Sequence, residues 1–200
     1  MTTIRTFIAI ELSDEVRAAL TDLQNRLKTV VPPRSVRWTA PQNIHLTLHF
    51  LGDVAIDDVE KIGVVLQKAS LASQPFTLTI ERLGCFPNVQ RPRIMWTGVS
   101  GETEPLVALH RDLGKWLKEA IDFSPESRPY SPHLTLGRTM KGLPSRHLSQ
   151  LRQVLQQEQA KVGRLAELRV SQVGLIKSEL KPTGAVYSLL SQANLRPGAI

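Results

Sequence analysis

Apolar residues along the chain follow two spacings, one typical of helices and one typical of strands. The helical spacing is clearest between residues 14 and 30, where steps of three and four separate Val16, Leu20, Leu23, Leu27 and Val30. This pattern predicts an amphipathic helix. Ser13 can serve as its N-cap, and the Pro32-Pro33 pair ends it.

Further helices and a larger number of strands are predicted in the same way. Helical spacing recurs in three segments: residues 56–72, 106–120 and 145–160. Short apolar or alternating runs predict the strands: residues 6–12, 37–39, 44–51, 76–80, 93–99, 133–136, 165–176 and 185–191. Residues 125–132 are predicted to form a loop, and the tail 196–200 to be loose. Hairpin-like strands mixed with helices favour an α+β fold, and no polar linker divides residues 1–200 into separate domains.

Composition narrows the class of protein. The chain has 200 residues, 42% of them hydrophobic, and one cysteine, Cys85, which excludes a disulfide scaffold and a Cys-rich zinc module. No apolar stretch approaches the ~20 residues that span a bilayer, and the N-terminus lacks the apolar segment of a secretory signal. We therefore expect a soluble, cytoplasmic protein without a membrane partner. The net charge of +7 favours encounters with polyanions, but no basic run marks a nucleic-acid tail.

One tetrapeptide occurs twice and stands out from this background. The sequence His-Leu-Thr-Leu at residues 45–48 is repeated without change at residues 133–136, and Pro41 and Pro132 precede the two copies. Because side chains alternate across a strand, the histidine and threonine of each copy share one face and the leucines take the other. Each copy therefore predicts a strand with its leucines in a core and its His-Thr pair on a polar face.

Two such His-Thr pairs suit displacement at phosphorus. One histidine can take a proton from the nucleophile while the other gives a proton to the leaving oxygen, because imidazole titrates near neutrality. The threonine hydroxyls can donate hydrogen bonds to the phosphate oxygens as charge grows there. A single copy would more often be structural, whereas two identical copies favour function. His45 and His133 are thus the candidate catalytic pair, with Thr47 and Thr135 as phosphate ligands.

A shared metal ion is the first alternative, since His45 and His49 lie four residues apart, as in helical zinc motifs. On a strand, four residues span about 13 Å, which is too far for one ion ligated at ~2 Å. The second copy has Gly137 where such a histidine would lie. We therefore expect neither a metal nor a cofactor, and we assign no role to His110 or His147.

The motifs and their surroundings resemble the two-histidine phosphoesterases, and within them the RNA 2′,3′-cyclic phosphodiesterase (2′-5′ RNA ligase) family. The likeness covers nearly the whole chain. The segments that carry it are 5–10, 37–38, 41–52, 83–87, 91–96 and 132–138, together with the late Tyr187.

The resemblance implies a bilobal α+β fold, with two antiparallel sheets around a central cleft, helices outside, and a pseudo-two-fold relation between the lobes. It implies metal-independent hydrolysis of RNA 2′,3′-cyclic phosphate ends to 2′-phosphomonoesters, with reversible 2′-5′ ligation. By this likeness His45 is the proton donor and His133 the proton acceptor, while Thr47 and Thr135 bind phosphate. The expected partner is RNA with a cyclic phosphate terminus, tRNA fragments among them, and the protein is expected to act in RNA processing as a monomer.

Two further site residues depend on local geometry. The family pattern places an arginine after the second motif, and a guanidinium suits phosphate, but strict alternation turns Arg138 to the leucine face. It reaches the phosphate if the strand bulges or ends near Gly137. Phe86 is the candidate for stacking on a terminal base, because its loop accompanies a pair of arginines. For Tyr130 and Trp38 we expect core packing instead.

Two other functions are compatible with the sequence. A related enzyme could act on a small cyclic nucleotide, such as a cyclic phosphate of ADP-ribose, and a binding module could hold nucleotide or RNA without turnover. Intact histidines in both motifs argue against the binding module, and the net charge favours RNA over a small nucleotide.

Overall fold

The computed structural model describes residues 2–182 and 184–196, which form two antiparallel sheets with helices packed on them. The first sheet contains, in spatial order, β3 (Leu46–Ala55), β1 (Thr3–Ile10), β8 (Gln172–Lys181) and β9 (Gly184–Asn194). The second contains β2 (Val36–Trp38), β6 (His133–Thr139), β5 (Ile94–Gly101), β4 (Phe76–Phe86) and β7 (Arg164–Val170). The helices are α1 (Asp14–Val30), α2 (Val59–Leu71), α3 (Thr103–Ala120) and α4 (Ser145–Gln159). The α+β prediction is confirmed.

Helix α1 forms over the predicted residues, and one of its side chains is hydrogen-bonded both to the segment before the first motif and to the second motif. The Ser13 hydroxyl accepts a hydrogen bond from the Val16 amide at 3.3 Å, which satisfies one of the free donors of the first turn. On the buried face, the side-chain amide of Gln24 donates to the carbonyls of Thr39 and Leu136, both at 2.8 Å. The helix is therefore anchored to the second sheet at the repeated motif.

The leucines of both motifs lie in one hydrophobic core, as the alternation predicted. Leu46, Leu134 and Leu136 have no exposed surface, and Leu48 is only 4% exposed. Around this core, α2 packs on β8 and β9, α1 on β7, and α4 on β4. The helices therefore cover the leucine side of the sheets and leave the His-Thr side uncovered. None of the helices in the described part of the chain is long and apolar enough to cross a membrane.

The predicted strand over residues 165–176 is wrong, because the chain changes sheets within it. β7 ends at Val170 in the second sheet, and β8 begins at Gln172 in the first. Ser171 lies between them, and its carbonyl accepts a hydrogen bond from the Leu195 amide at 2.8 Å. Both strands bury apolar side chains, so an apolar pattern alone does not mark the crossing.

Several predicted boundaries also shift. The strand over 185–191 belongs to the longer β9, and the helix over 56–72 begins one turn late because Ile56–Asp58 form a 3₁₀ turn. Of the predicted loose tail, residues 197–200 lie outside the described part of the chain.

Candidate active site

The first motif lies on the edge strand of the first sheet, and its histidine contacts two aromatic rings. His45 directly precedes β3 and follows the 3₁₀ turn Pro41–Asn43. Its ring stacks on Phe7 of β1, with 4.5 Å between centroids, and meets Tyr187 of β9 edge-on at 5.3 Å. These aromatic contacts bury most of the imidazole and fix its orientation.

Polar contacts from two other elements hold the turn that carries His45. Arg17 of α1 donates from Nη1 to the carbonyls of Pro41 and Gln42, at 3.3 and 3.2 Å. The side-chain amide of Asn43 donates to the carbonyl of Ala185 at 2.9 Å. A cavity of about 210 Å³ opens beside this turn. Arg17 was not among the predicted site residues, because no local sequence pattern relates the polar face of a helix to a turn so far along the chain.

The surroundings of His45 favour its neutral form. Burial lowers the pKa of His45 to about 4, and the nearby charge of Arg17 lowers it as well, while a hydrogen bond with the backbone of Asn43 acts in the opposite direction. A pKa of about 4 favours the uncharged ring at neutral pH, and a negative charge close to the ring would raise this pKa.

The second motif repeats the local arrangement of the first. His133 begins β6, and its Nδ1 lies 2.8 Å from the carbonyl oxygen of Ser131. Because a carbonyl only accepts, Nδ1 must carry the proton, which leaves Nε2 of the neutral ring as an acceptor. Both catalytic candidates are thus hydrogen-bonded to the backbone two residues earlier in the chain.

Phe86 lies directly against the second histidine. Its ring meets His133 edge-on at 4.9 Å and Trp96 at 5.0 Å. Trp96 itself lies over Gly84, where the Cβ atom of any other residue would collide with the indole. The glycine therefore makes room for the tryptophan that supports this end of the site. Trp96 was not among the predicted site residues, since a tryptophan in an apolar strand more often packs in a core.

One hydrogen bond connects the two motif regions, and Tyr187 feels the charge of a residue beyond the second motif. The Tyr130 hydroxyl, three residues before His133, donates to the carbonyl of Thr47 at 3.0 Å. Across the cleft, the pKa of Tyr187 is raised by burial, and the charges of Arg138 and Arg5 oppose this shift. The charge of Arg138 is therefore felt at Tyr187, whose ring meets His45 edge-on. The segment before His133 is thus hydrogen-bonded to the backbone of the first motif at Thr47.

A bulge in β6 decides where Arg138 points. Thr135 pairs with Trp96 and Gly137 pairs with Met95, so Leu136 has no partner on β5. Leu136 and Gly137 are both buried, and alternation resumes one residue later with an exposed Arg138. Strict alternation is therefore wrong here, and the condition under which Arg138 reaches the cleft is met.

The first motif carries the same bulge at its equivalent leucine. Thr47 pairs with Ala9 and His49 pairs with Ile8, which leaves Leu48 unpaired. The next residue after the buried His49 is Phe50, whose side chain is 61% exposed. Phe50 is thus the counterpart of Arg138 in the first half.

The remaining histidines lie behind the cleft rather than in it. The rings of His49, His110 and Tyr130 form a stack, with centroids 4.1 and 4.0 Å apart, and His49 Nε2 lies 2.8 Å from the carbonyl of His110. Burial lowers the pKa of both histidines, that of His110 to about 4. Since His45 packs on Phe7 instead, His45 and His49 do not face one shared ligand. The described residues contain no cluster of three or more metal-binding side chains.

The chain is similar to a known family of phosphoesterases and to several curated proteins. The family described as LigT-like phosphoesterases matches residues 10–96 and 99–187. An RNA 2′,3′-cyclic phosphodiesterase of Methanothermobacter thermautotrophicus is 34% identical over 92% of this chain and 95% of its own. A protein of the same name from Aquifex aeolicus is 28% identical over 96% of this chain and 97% of its own.

Solved structures show the same fold. A protein of Thermus thermophilus superimposes with a TM-score of 0.79 at 28% identity, covering 98% of this chain and 100% of its own. Apo LigT of Escherichia coli superimposes with a TM-score of 0.74 at 23% identity, over 98% and 99% of the two chains. The family match spans most of the chain and includes both His-Leu-Thr-Leu motifs, so the chain belongs to the LigT-like phosphoesterases.

Proposed function

We propose that this phosphoesterase hydrolyses RNA 2′,3′-cyclic phosphate ends to 2′-phosphomonoesters by acid–base catalysis with two histidines. The observation that supports the proposal most is the Tyr130–Thr47 hydrogen bond between the two motif regions, in which each histidine is hydrogen-bonded to the backbone two residues earlier. The relatives from M. thermautotrophicus and A. aeolicus, both named RNA 2′,3′-cyclic phosphodiesterase, support the substrate class.

The proposed reaction transfers one proton at each side of the phosphorus. Nε2 of His133 accepts a proton from water as the water oxygen bonds to phosphorus. The bond from phosphorus to the 3′ oxygen breaks, and His45 gives its proton to that oxygen. The 2′ oxygen keeps its bond, so the product carries a 2′-phosphate.

The other predicted residues stabilise the charge that builds on the phosphate. Thr47 and Thr135 donate hydrogen bonds to the non-bridging oxygens, and Arg138 supplies a positive charge from the bulge in β6. An RNA 5′-hydroxyl in place of water would form a 2′-5′ linkage by the same proton transfers, and the reverse reaction would cleave it. The monomeric state, the single domain over residues 1–200 and the cytoplasmic location stay predictions.

End-group analysis of the product tests this proposal. A defined oligoribonucleotide with a 2′,3′-cyclic phosphate is expected to yield only the 2′-phosphate, at an undiminished rate in excess EDTA. A 3′-phosphate product would contradict the assigned leaving group, and loss of activity in EDTA would contradict the metal-independent mechanism. Binding without turnover would identify a binding module, and a strong preference for small cyclic nucleotides would favour the related enzyme class.

Removing the Tyr130 hydroxyl tests whether the link between the motifs matters for catalysis. Tyr130→Phe keeps the ring in its stack on His110 but removes the hydrogen bond to the Thr47 carbonyl. We expect kcat/KM for the cyclic phosphate to fall about twofold to tenfold, the effect of one hydrogen bond. The melting temperature is measured in parallel. A lower melting temperature with unchanged kcat/KM would mean that the bond serves the fold alone.

A further inference from the structure

A row of four residues crosses the second sheet on the side of the cleft. Arg37 of β2 pairs with Arg138 of β6, Arg138 pairs with Ile94 of β5, and Ile94 pairs with Phe86 of β4. Residues paired across neighbouring strands point to the same side of a sheet. The two arginines therefore stand side by side on the face that carries His133.

The orientation of Arg37 follows from its two neighbours. Val36 is only 8% exposed, and the half-buried Trp38 packs against the same hydrophobic core. Because side chains alternate along a strand, Arg37 points to the opposite face, and it is exposed. The bulge at Leu136 turns Arg138 to that same face.

Nothing in the described part of the chain compensates the charge of this pair. Like charges directly opposite each other on adjacent strands destabilise a sheet. Among the ion pairs formed by residues 2–182 and 184–196, none includes Arg37 or Arg138. The exposed Arg34 and Lys141 lie just beyond the ends of the same two strands. An anion with more than one phosphate would relieve this repulsion.

The order of the residues across the sheet gives the path of such an anion. His133 and Arg138 both lie on β6, whereas Arg37 lies one strand further out, on the edge strand β2. An RNA that has its terminal phosphate between the histidines and leaves the cleft over β2 passes Arg138 first and Arg37 second. The guanidinium group of each arginine can donate paired hydrogen bonds to the oxygens of one phosphate.

We propose that Arg37 binds the phosphodiester that joins the terminal nucleotide to the rest of the RNA. This inference rests on the proposed RNA-end activity and adds a second phosphate subsite to it. A nucleoside 2′,3′-cyclic phosphate has no phosphate at this position. Arg37 therefore contributes to the preference for an RNA end over a mononucleotide, while Arg138 serves the reacting phosphate.

The salt dependence of binding tests the charge contact. Binding of a short oligoribonucleotide ending in a 2′-phosphate, the reaction product, is measured by fluorescence anisotropy at several salt concentrations. We expect Arg37→Gln to weaken binding roughly threefold to tenfold at low salt. The slope of log K against log salt should become shallower by about 0.7, the value for one phosphate contact on a single strand.

Arg146→Gln is the matched control. Arg146 is exposed on α4, which packs on β4 from the core side of the sheet, so this variant has the same change of net charge away from the cleft. It should keep the wild-type salt slope and activity. An equal loss of slope in both variants would overturn the inference, because it would reflect net charge alone.

A chemical double-mutant cycle locates the phosphate. The linkage next to the terminal nucleotide is replaced by an uncharged methylphosphonate, and the effect of Arg37→Gln is measured again. If the two groups touch, the substitution should cost little on the modified RNA. A full loss on the modified RNA would overturn the assignment to this linkage.

Hydrolysis rates separate this inference from the proposed function. Arg37→Gln should lower kcat/KM more for a cyclic-phosphate oligoribonucleotide than for adenosine 2′,3′-cyclic phosphate, and Arg37→Lys should recover part of the loss. Equal losses on both substrates would refute the subsite while leaving the RNA-end activity intact. If the wild-type protein hydrolyses neither substrate, the proposed function itself fails.

Discussion

Replacement of either His45 or His133 by Ala is expected to lower kcat by about 10²- to 10⁴-fold, the usual contribution of a general acid or base. Each replacement removes one of the two proton transfers proposed at the phosphorus. Because the two histidines act in one step, the double variant should lose much less than the product of the single losses. Single-turnover hydrolysis of a cyclic-phosphate oligoribonucleotide measures all three values.

His147→Ala provides the control for these replacements. His147 lies on α4, and its loss should leave both activity and fold unchanged. Circular dichroism and the melting temperature should also stay close to wild type for the His133 variant, because this side chain lies on the cleft face and not among the core leucines. Activity that survives both catalytic replacements would disprove the assignment of acid and base.

The protonation of His45 should depend strongly on whether phosphate is bound. In the free protein, burial lowers its pKa from 6.5 to about 4, so an NMR titration of the ring should have its midpoint near pH 4. A nucleoside 2′-phosphate brings negative charge beside the ring and should move the midpoint upward, because the charged form is then favoured. Such a rise would give His45 the proton that its proposed role as donor requires near neutral pH.

Phe7→Ala tests the cause of the shift. Phe7 stacks on the ring of His45, and its removal admits water to the imidazole. The midpoint in the free protein should then rise toward the ordinary histidine pKa of 6.5. A midpoint that is already unshifted in the wild-type protein, with no response to the nucleotide, would contradict both the burial effect and the proposed role of His45 as the acid.

The sequence allowed a large part of the fold and site to be predicted because the signals were local and repeated. The apolar spacing defined α1, and the two identical tetrapeptides defined the histidines, the threonines and the buried leucines. What could not be predicted depends on pairing between distant strands. The bulge at Leu136 appears only when β6 is aligned with β5, and Arg17 reaches the turn before His45 only through the packing of α1.

The chain crossing at Ser171 has the same origin. Both strands on either side of it are apolar and partly buried, so their sequences contain no sign that they belong to different sheets. Tertiary packing decides which sheet a strand joins. The local sequence pattern therefore predicted where the helices and strands lie better than which strands pair with one another.

The matching bulges at Leu48 and Leu136 bear on how the two halves of the chain come to have different chemical roles. Each bulge is followed by one exposed side chain two residues later, and these side chains differ: Phe50 in the first half and Arg138 in the second. A tetrapeptide present in two identical copies cannot by itself make one imidazole the acid and the other the base. In the proposed reaction, the choice of acid and base must therefore come from the unlike residues that flank the two motifs.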